Sequence, residues 1–238
     1  MIQIGEFKLA LKNGDIYEIE RFFKKYSCDD NEIPDSIVDI TNEDLLYEKI
    51  FNSITKLDCV LAYNAFFRKF SEWLPLNNAF LIHGVLLEVE NSGILFSAAS
   101  GTGKTTHMLL WQKLLGEKLS LINGDKPIVR FFDDEPETPY AYGTPWKGKE
   151  NFGFNGKTKL RHICFIERSE TNYVEKVQKK DVIDRIFNQV YMPKDPVAVM
   201  NTMQLIDRLL NCCNLWVIHC NMEPEAAEIA YNAIINGK

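Results

Sequence analysis

Several features are missing from this sequence of 238 residues, and each absence excludes a class of protein. No apolar run approaches the roughly 20 residues that a membrane-spanning helix needs, and the start of the chain has no basic region followed by an apolar core. We therefore expect a cytoplasmic protein with no membrane partner. The net charge of −6 gives no basic excess, so nucleic acid is not expected as a partner.

Paired cysteine motifs and repeats are also absent. The six cysteines include no C-x-x-C pair and most lie in apolar segments, so we expect reduced, structural thiols. No internal repeat, low-complexity tract or long linker marks a domain boundary. With 46% hydrophobic and 25% charged residues, the composition is typical of a globular chain that buries a substantial core.

The N-terminal part has the pattern of a small β unit followed by a helix. Apolar segments at 7–11 and 16–23 flank the pair Asn13–Gly14, which favours a tight hairpin. Residues 57–73 then repeat large apolar side chains at helical spacing. These patterns predict a β hairpin and a helix that covers the next sheet.

The rest of the chain alternates between strand and helix patterns. A strand is predicted over 80–89, and a turn at 90–93 leads to a second strand at 94–98. Helix 104–115 and strand 119–123 follow, which makes a strand–loop–helix–strand unit that suits a parallel crossover. Further strands are predicted at 127–132, 140–142, 160–166 and 215–220, and further helices at 182–191, 197–210 and 225–235.

The loop between the second strand and its helix carries the strongest functional signal. In an ATP site, backbone N–H groups and a helix N-terminus bind phosphate oxygens, a lysine reaches the β and γ phosphates, and a hydroxyl holds Mg²⁺. Here Gly101 and Gly103 let the backbone turn, Lys104 supplies the cation and Thr105 supplies the hydroxyl. The predicted ATP-binding residues are Ser100, Gly101, Thr102, Gly103, Lys104, Thr105 and Thr106.

This loop departs from the full G-x-x-x-x-G-K-[ST] pattern, because Ala98 stands where the first glycine belongs. The alternative is a glycine-rich turn that caps a helix and binds nothing. A nearby carboxylate is the second requirement, and Asp125 follows the strand that ends at Asn123. We expect Thr105 and Asp125 to hold Mg²⁺, with Mn²⁺ as the alternative metal; an ordinary turn aspartate is the other interpretation.

Several stretches resemble known families. Residues 82–89, 95–107 and 121–125 resemble the catalytic core of HPr kinase/phosphorylase, and the loop is similar to that of ATP-dependent PEP carboxykinase, which shares its fold. Residues 122–127, 142–151 and 220–227 look like bacterial proteins described only as PEP carboxykinase-like or HPr-kinase-like. The resemblance runs from about Phe80 to the C-terminus. It implies an α/β fold in which residues 79–238 form a P-loop kinase-like core with a mixed sheet and flanking helices, after a small β-rich, α+β N-terminal extension at 1–78.

The resemblance also implies roles for single residues. In HPr kinase a histidine at the position of His83 neighbours the reacting phosphate, and in PEP carboxykinase the corresponding histidine is a metal ligand. A lone histidine in a strand is otherwise more often packed than catalytic. The aspartate pair of the family matches Gly124–Asp125, so one acid remains, as metal ligand, general base or both. Lys149 is expected to face the γ phosphate or an anionic acceptor, and a solvated surface lysine is the alternative. Trp146 beside it either serves the site, by shielding it from water or stacking on the nucleotide, or fills the core.

These features favour a kinase with His83, Asp125 and Lys149 as catalytic residues, moving the γ-phosphate of ATP to a hydroxyl of a protein, peptide or small metabolite. HPr is not implied as the substrate, because Thr106 stands where HPr kinase has an acidic residue. Carboxykinase chemistry is not expected either, since no counterpart of the oxaloacetate-binding arginine region is present. The alternatives are a nucleotide-binding regulator with little turnover, and an ATPase or a phosphorylase run in reverse. The resemblance also hints at a homo-oligomer.

Overall fold

The structure of the protein is a computed structural model, and it describes residues 1–14, 17–29, 31–51, 57–99 and 101–237. The strands are β1 (Ile2–Ile4), β2 (Phe7–Lys12), β3 (Ser36–Asp39), β4 (Ala79–Leu81), β5 (Val85–Val89), β6 (Ser92–Ser97), β7 (Leu119–Asn123), β8 (Ile128–Arg130), β9 (Tyr140–Tyr142), β10 (Lys157–Arg168), β11 (Tyr173–Lys176) and β12 (Asn214–Cys220). The α-helices are α1 (Asn42–Phe51), α2 (Asp58–Trp73), α3 (Lys104–Leu115), α4 (Lys179–Phe187), α5 (Pro196–Cys212) and α6 (Glu225–Ile234). Short 3-10 helices cover Ile19–Tyr26, Leu74–Asn77 and Gly116–Lys118.

The N-terminal residues form a three-stranded sheet in which β2 pairs antiparallel with β1 and parallel with β3. The hairpin predicted at Asn13–Gly14 is wrong. Ile16, the start of its second strand, lies outside the described residues, and the residues that follow form a 3-10 helix. Ile19, Phe23 and Tyr26 are buried at intervals of four and three, which places them on one helical face rather than on alternate sides of a strand.

A mixed sheet of nine strands occupies the rest of the described chain, in the order β4-β8-β9-β10-β6-β5-β7, with β12 beside β10 and β11 beside β12. The long strand β10 joins its two parts. The start of β10 pairs antiparallel with β9, and its remainder pairs parallel with β6 and β12. The predicted α/β class with a mixed sheet and several helices is therefore confirmed.

The predicted strand–helix–strand unit is present as β6, α3 and β7, but β5 lies between the two strands and is antiparallel to both. Consequently β6 and β7 run parallel to each other, and their last residues, Ser97 and Asn123, lie at the same edge of the sheet.

The continuous strand predicted over 80–89 is divided, because residues 82–84 separate β4 from β5. His83 thus lies between two strands rather than on one. Gly84 fits there because an added Cβ would lie 2.8 Å from the carbonyl oxygen of Phe96.

Helices cover both faces of the large sheet. Helices α4 and α5 pack on one face, against a cluster that contains Leu95, whereas α3 and α6 pack on the other, against Phe96. Successive residues of β6 therefore enter different cores, as expected for a strand buried on both faces. A third cluster joins the N-terminal sheet and α2 to β4, β8 and Trp146. The boundary at residues 78 and 79 stays a prediction.

Most of the predicted elements are present within a few residues, including the helices at 57–73, 104–115 and 225–235. The patterns did not predict α1 or β11. All six cysteines lie in the described chain and are free thiols, as expected. No helix in the described ranges combines the length and apolar character that crossing a membrane requires.

Candidate functional site

The loop after β6 leads directly into α3 and presents glycine backbone to open space. Gly101 has a φ of 78° and Gly103 a φ of 124°, values that favour glycine. An added Cβ at either position would meet no atom within 4 Å, so packing does not require these glycines. The N–H of Thr102 donates to the carbonyl of Ala99 at 3.2 Å and closes the turn. Ser100, which belongs to the predicted ATP-binding set, lies outside the described residues.

Lys104 is the first residue of α3 and its side chain is buried against the loop. Its Nζ donates to the carbonyl oxygen of Ala98 at 2.8 Å. Burial lowers the pKa of Lys104, and the negative charge of Asp125 opposes that shift. Thr105 is half-buried and Thr106 is exposed in the same helical turn. No hydrogen bond joins Thr105 to Asp125, both of which belong to the described chain.

His83 and Asp125 are in contact beside this lysine. The Nε2 of His83 lies 3.3 Å from Oδ1 of Asp125, and its Nδ1 lies 2.7 Å from Oε1 of Gln189. Backbone bonds fix the segment: the N–H of His83 donates to the carbonyl of Gln189, and the N–H of Gly84 donates to that of Asp125. Burial lowers the pKa of His83, and the positive charge of Lys104 adds to the effect. The imidazole is therefore neutral at pH 7.

Asn123 holds Asp125 in place. Its buried side-chain oxygen accepts from the N–H groups of Asp125 and Lys126 at 2.9 and 2.8 Å, and its Nδ2 donates to the carbonyl oxygen of Thr144 at 3.2 Å. This Asx-type turn satisfies the buried amide and fixes the direction of the chain after β7. The Nζ of Lys126 then lies 2.5 Å from Oδ2 of Asp125, so both carboxylate oxygens have partners.

The segment between β9 and β10 packs closely against the end of β7. An added Cβ at Gly148, whose φ is 76°, would lie 3.2 Å from Cβ of Asp125. An added Cβ at Gly143 would lie 2.9 Å from the carbonyl oxygen of Ile122 in β7 and 1.9 Å from that of Phe154 in the segment itself. These glycines let the segment approach the predicted site. Lys149 follows Gly148 and its side chain is exposed.

The two residues before Gly148 have structural contacts. Trp146 is buried and packs on Phe66, Phe67 and Phe70, so of the two interpretations of Trp146 the core one is correct. Lys147 is also buried, and its Nζ donates to the carbonyl of Gly153 at 2.9 Å.

Arg168, which ends an apolar strand and from the sequence was expected to be no more than a surface charge, lies beside the loop. Strand β10 continues three residues past the last pair with β6, Phe165 with Ser97, and so carries Arg168 to the loop. Its guanidinium donates to the carbonyl oxygens of Thr102 and Gly101 at 3.1 and 2.5 Å. The signal that could have found Arg168 is its position at the C-terminal end of a strand that neighbours the loop strand.

Two cavities border the loop. The larger has a volume of about 890 Å³ and is lined by the loop, the end of β10 and Gln189, the partner of His83. The smaller has a volume of about 390 Å³ and lies between Gly101–Gly103, the first turns of α3 and the chain after β12. Thr106 lines this smaller cavity.

The structure thus brings together Lys104, His83 and Asp125, and places Gly148, the neighbour of Lys149, against the same aspartate. Within the described ranges, no group of three or more His, Cys, Asp or Glu side chains is arranged to hold a metal ion.

Comparisons with known proteins give matches among solved structures but not among family models or curated sequences. No family model matches the chain, and no curated protein matches it in sequence. Among solved structures, the HPr(Ser) kinase/phosphatase from Coxiella burnetii is similar over 66% of this chain and 97% of its own, with a TM-score of 0.36 and 9% identity. The likeness is distant, and the resemblance to the HPr kinase and PEP carboxykinase families stays a prediction.

Proposed function

We propose that this chain is an ATP-dependent phosphotransferase that moves the γ-phosphate to a hydroxyl of a protein, a peptide or a small metabolite. One observation carries the proposal. Lys104, His83 and Asp125 come from three separate segments and meet beside a glycine-rich loop whose backbone faces open space. A cation, a neutral imidazole and a carboxylate are groups with which proteins position phosphates and stabilise the charge of phosphoryl transfer.

The residues present fit ATP and Mg²⁺, with Mn²⁺ as the alternative. The open space at Gly101 and Gly103 leaves room for phosphate oxygens along the loop and the start of α3. Lys104 would hold the β and γ phosphates, and Thr105 and Asp125 would hold the metal, which neutralises phosphate charge when bound. With so few protein ligands, most of the metal's coordination would come from phosphate and water, as Mg²⁺ allows.

His83 and Asp125 act together on the acceptor's proton in this proposal. Since burial lowers the pKa of His83, the neutral imidazole can accept the hydroxyl proton, and Asp125 at 3.3 Å then stabilises the imidazolium. Direct proton transfer to Asp125 is the other route. Lys149 lies on the segment that packs against Asp125, and its exposed side chain would contact the γ phosphate.

Transfer of label from γ-labelled ATP to serine peptides and hydroxylated metabolites tests the proposal. We expect Lys104→Ala to weaken ATP binding at least roughly tenfold and to abolish transfer, because the charged phosphate contact is lost. Asp125→Asn should still bind ATP but transfer label about 100-fold more slowly. Lys113→Ala, an exposed lysine on the same helix, is the matched control and should behave as wild type. Full activity in Lys104→Ala would exclude the proposal.

A nucleotide-binding regulator is the second candidate, and the pairing of Lys126 with Asp125 favours it. A lysine on the carboxylate competes with a metal for the same oxygen. In that case ATP binds and depends on Lys104, but no acceptor is labelled, and Lys126→Ala does not produce turnover.

A further inference from the structure

The smaller cavity borders the same loop as the larger one but does not include Gln189, the partner of His83. The larger cavity includes Gln189, which bonds His83, whereas the smaller one includes His107 and the chain at 220–222. Both cavities share Gly101 and Thr102. A ligand whose terminal phosphate lies near His83 would therefore extend its other end across the loop into the smaller cavity.

His107 lines the smaller cavity and has one ring nitrogen without a hydrogen-bond partner in the described part of the chain. The side chain is 2% exposed, and its Nε2 accepts a hydrogen bond from the indole N–H of Trp111 at 3.1 Å. Because an accepting ring nitrogen carries a lone pair, the proton of the neutral imidazole lies on Nδ1. That Nδ1 is buried and has no hydrogen-bond partner among the described residues. A buried donor left unpaired is costly, so it points to an acceptor supplied by a ligand.

A second histidine shows that an indole partner does not by itself produce this situation. The indole N–H of Trp216 donates to Nδ1 of His162 at 3.2 Å. His162 does not line either of the two cavities, and none of its ring atoms is a buried atom without a partner in the described chain. Among the histidines of the described chain, His107 is therefore the one with a buried ring nitrogen that has no partner.

The remaining lining is partly apolar, which suits the faces of an aromatic ring. Ile166, Cys220 and Met222 supply apolar surface. The amide of Asn221 is already used, since its Nδ2 donates to the carbonyl of Glu170 and its Oδ1 accepts from the N–H of Glu223. Sites for small molecules combine such apolar walls with a few directional polar groups, and His107 provides one here.

Resting on the proposed function, we propose that the smaller cavity is the nucleobase subsite and that Nδ1–H of His107 donates to a ring nitrogen of a purine. Adenine and guanine both carry such a ring-nitrogen acceptor on the edge of a two-ring base, whereas the smaller uracil ring presents its carbonyl oxygens at other positions. His107 would then favour purine over pyrimidine nucleotides without touching the phosphates.

Dissociation constants for ATP, UTP and inorganic triphosphate, measured by calorimetry, test this assignment. Wild type should bind ATP more tightly than UTP or triphosphate. His107→Leu should lose roughly tenfold in ATP affinity, the effect of one hydrogen bond, and keep its triphosphate affinity within about twofold. His162→Leu removes the matched histidine and should leave both affinities unchanged. Equal losses for ATP and triphosphate in His107→Leu, or no loss for either, would overturn the subsite, as would UTP binding as tightly as ATP.

The same measurements separate the two proposals. Triphosphate binding that depends on Lys104, with no added affinity for ATP, would overturn the nucleobase subsite alone. No binding of ATP or triphosphate to wild type would overturn the phosphotransferase as well. Should His107→Leu not fold, the ¹⁵N resonance of His107 Nδ1 in wild type decides the matter. We expect it to shift with ATP and not with triphosphate, and equal behaviour with both ligands would contradict the assignment.

Discussion

At the scale of the residue, Arg168 holds the shape of the loop from outside it. The loop's carbonyl oxygens at Gly101 and Thr102 accept from the guanidinium. Two bonds from one rigid fork fix the direction of two peptide units at once, which a lysine's single ammonium cannot do. Because those peptide units belong to the predicted phosphate cradle, Arg168 is a positioning residue for any anion that the loop binds.

We expect Arg168→Ala to raise the dissociation constants for ATP and triphosphate about fivefold to tenfold, because the loop loses its two external bonds. The dissociation constants of Arg168→Lys should lie between those of Arg168→Ala and those of wild type. The free energy of unfolding should change by less than about 0.5 kcal/mol, since the side chain is exposed. Arg161→Ala, an exposed arginine on the same strand, is the control. Unchanged affinity for both ligands in Arg168→Ala would show that the loop keeps its shape without the arginine.

At the scale of the element, the segment between β9 and β10 depends on glycine where it packs against β7. Gly143 lies so close to Phe154 of the same segment and to Ile122 of β7 that a Cβ has no room, and the oxygen atoms it would meet belong to backbone. By contrast, Gly116 at the end of α3 has a φ of 56° and open space around it. Close packing therefore requires glycine at position 143, whereas only the backbone conformation favours glycine at position 116.

This contrast predicts different losses of stability. Gly143→Ala should lower the free energy of unfolding by about 3 kcal/mol, because the segment must move away from the end of β7. Gly116→Ala should cost only about 1 to 2 kcal/mol, the strain of a positive φ with a ψ of −125° in a residue that has a Cβ. Urea unfolding measures both. ATP binding should weaken in Gly143→Ala, since the displaced segment contacts Asp125, and should be kept in Gly116→Ala. Equal destabilisation by the two substitutions would contradict the packing argument.

At the scale of the whole molecule, the sequence predicted those helices and strands whose bounds depend on the spacing of nearby apolar residues. Helix α3 and strand β7 begin and end where the apolar spacing indicates. The position of β5 between β6 and β7 was not predicted, because the apolar periodicity within one strand does not indicate which strands it pairs with. The same holds for the site. Lys104 and Asp125 follow from their place in the crossover, but Gln189 reaches His83 across 106 residues, and no local signal marks it.

Acid stability is a property of the whole molecule to which the buried His107 and the partly buried His162 contribute. Burial lowers the pKa of His162 to about 4, with Lys176 and Arg161 adding to the effect, and burial lowers that of His107 to about 4 as well. The unfolded chain has an ordinary histidine pKa near 6.5. Between pH 6.5 and 4 the unfolded state binds a proton that the folded state does not, so stability is lost as the pH falls through this window and is unaffected above it.

We therefore expect the free energy of unfolding to fall between pH 7.5 and 4.5, and His162→Asn to reduce that fall by roughly 1 to 2 kcal/mol. The asparagine oxygen can still accept from the indole of Trp216, so the substitution removes the titrating group while its acceptor is kept. Urea unfolding of both proteins at the two pH values measures the difference. Because the histidine contributes nothing by titration at pH 7.5, any difference there reports packing and is subtracted. An identical fall in wild type and His162→Asn would mean that His162 is protonated in the folded protein, which the burial of its ring in the sheet argues against.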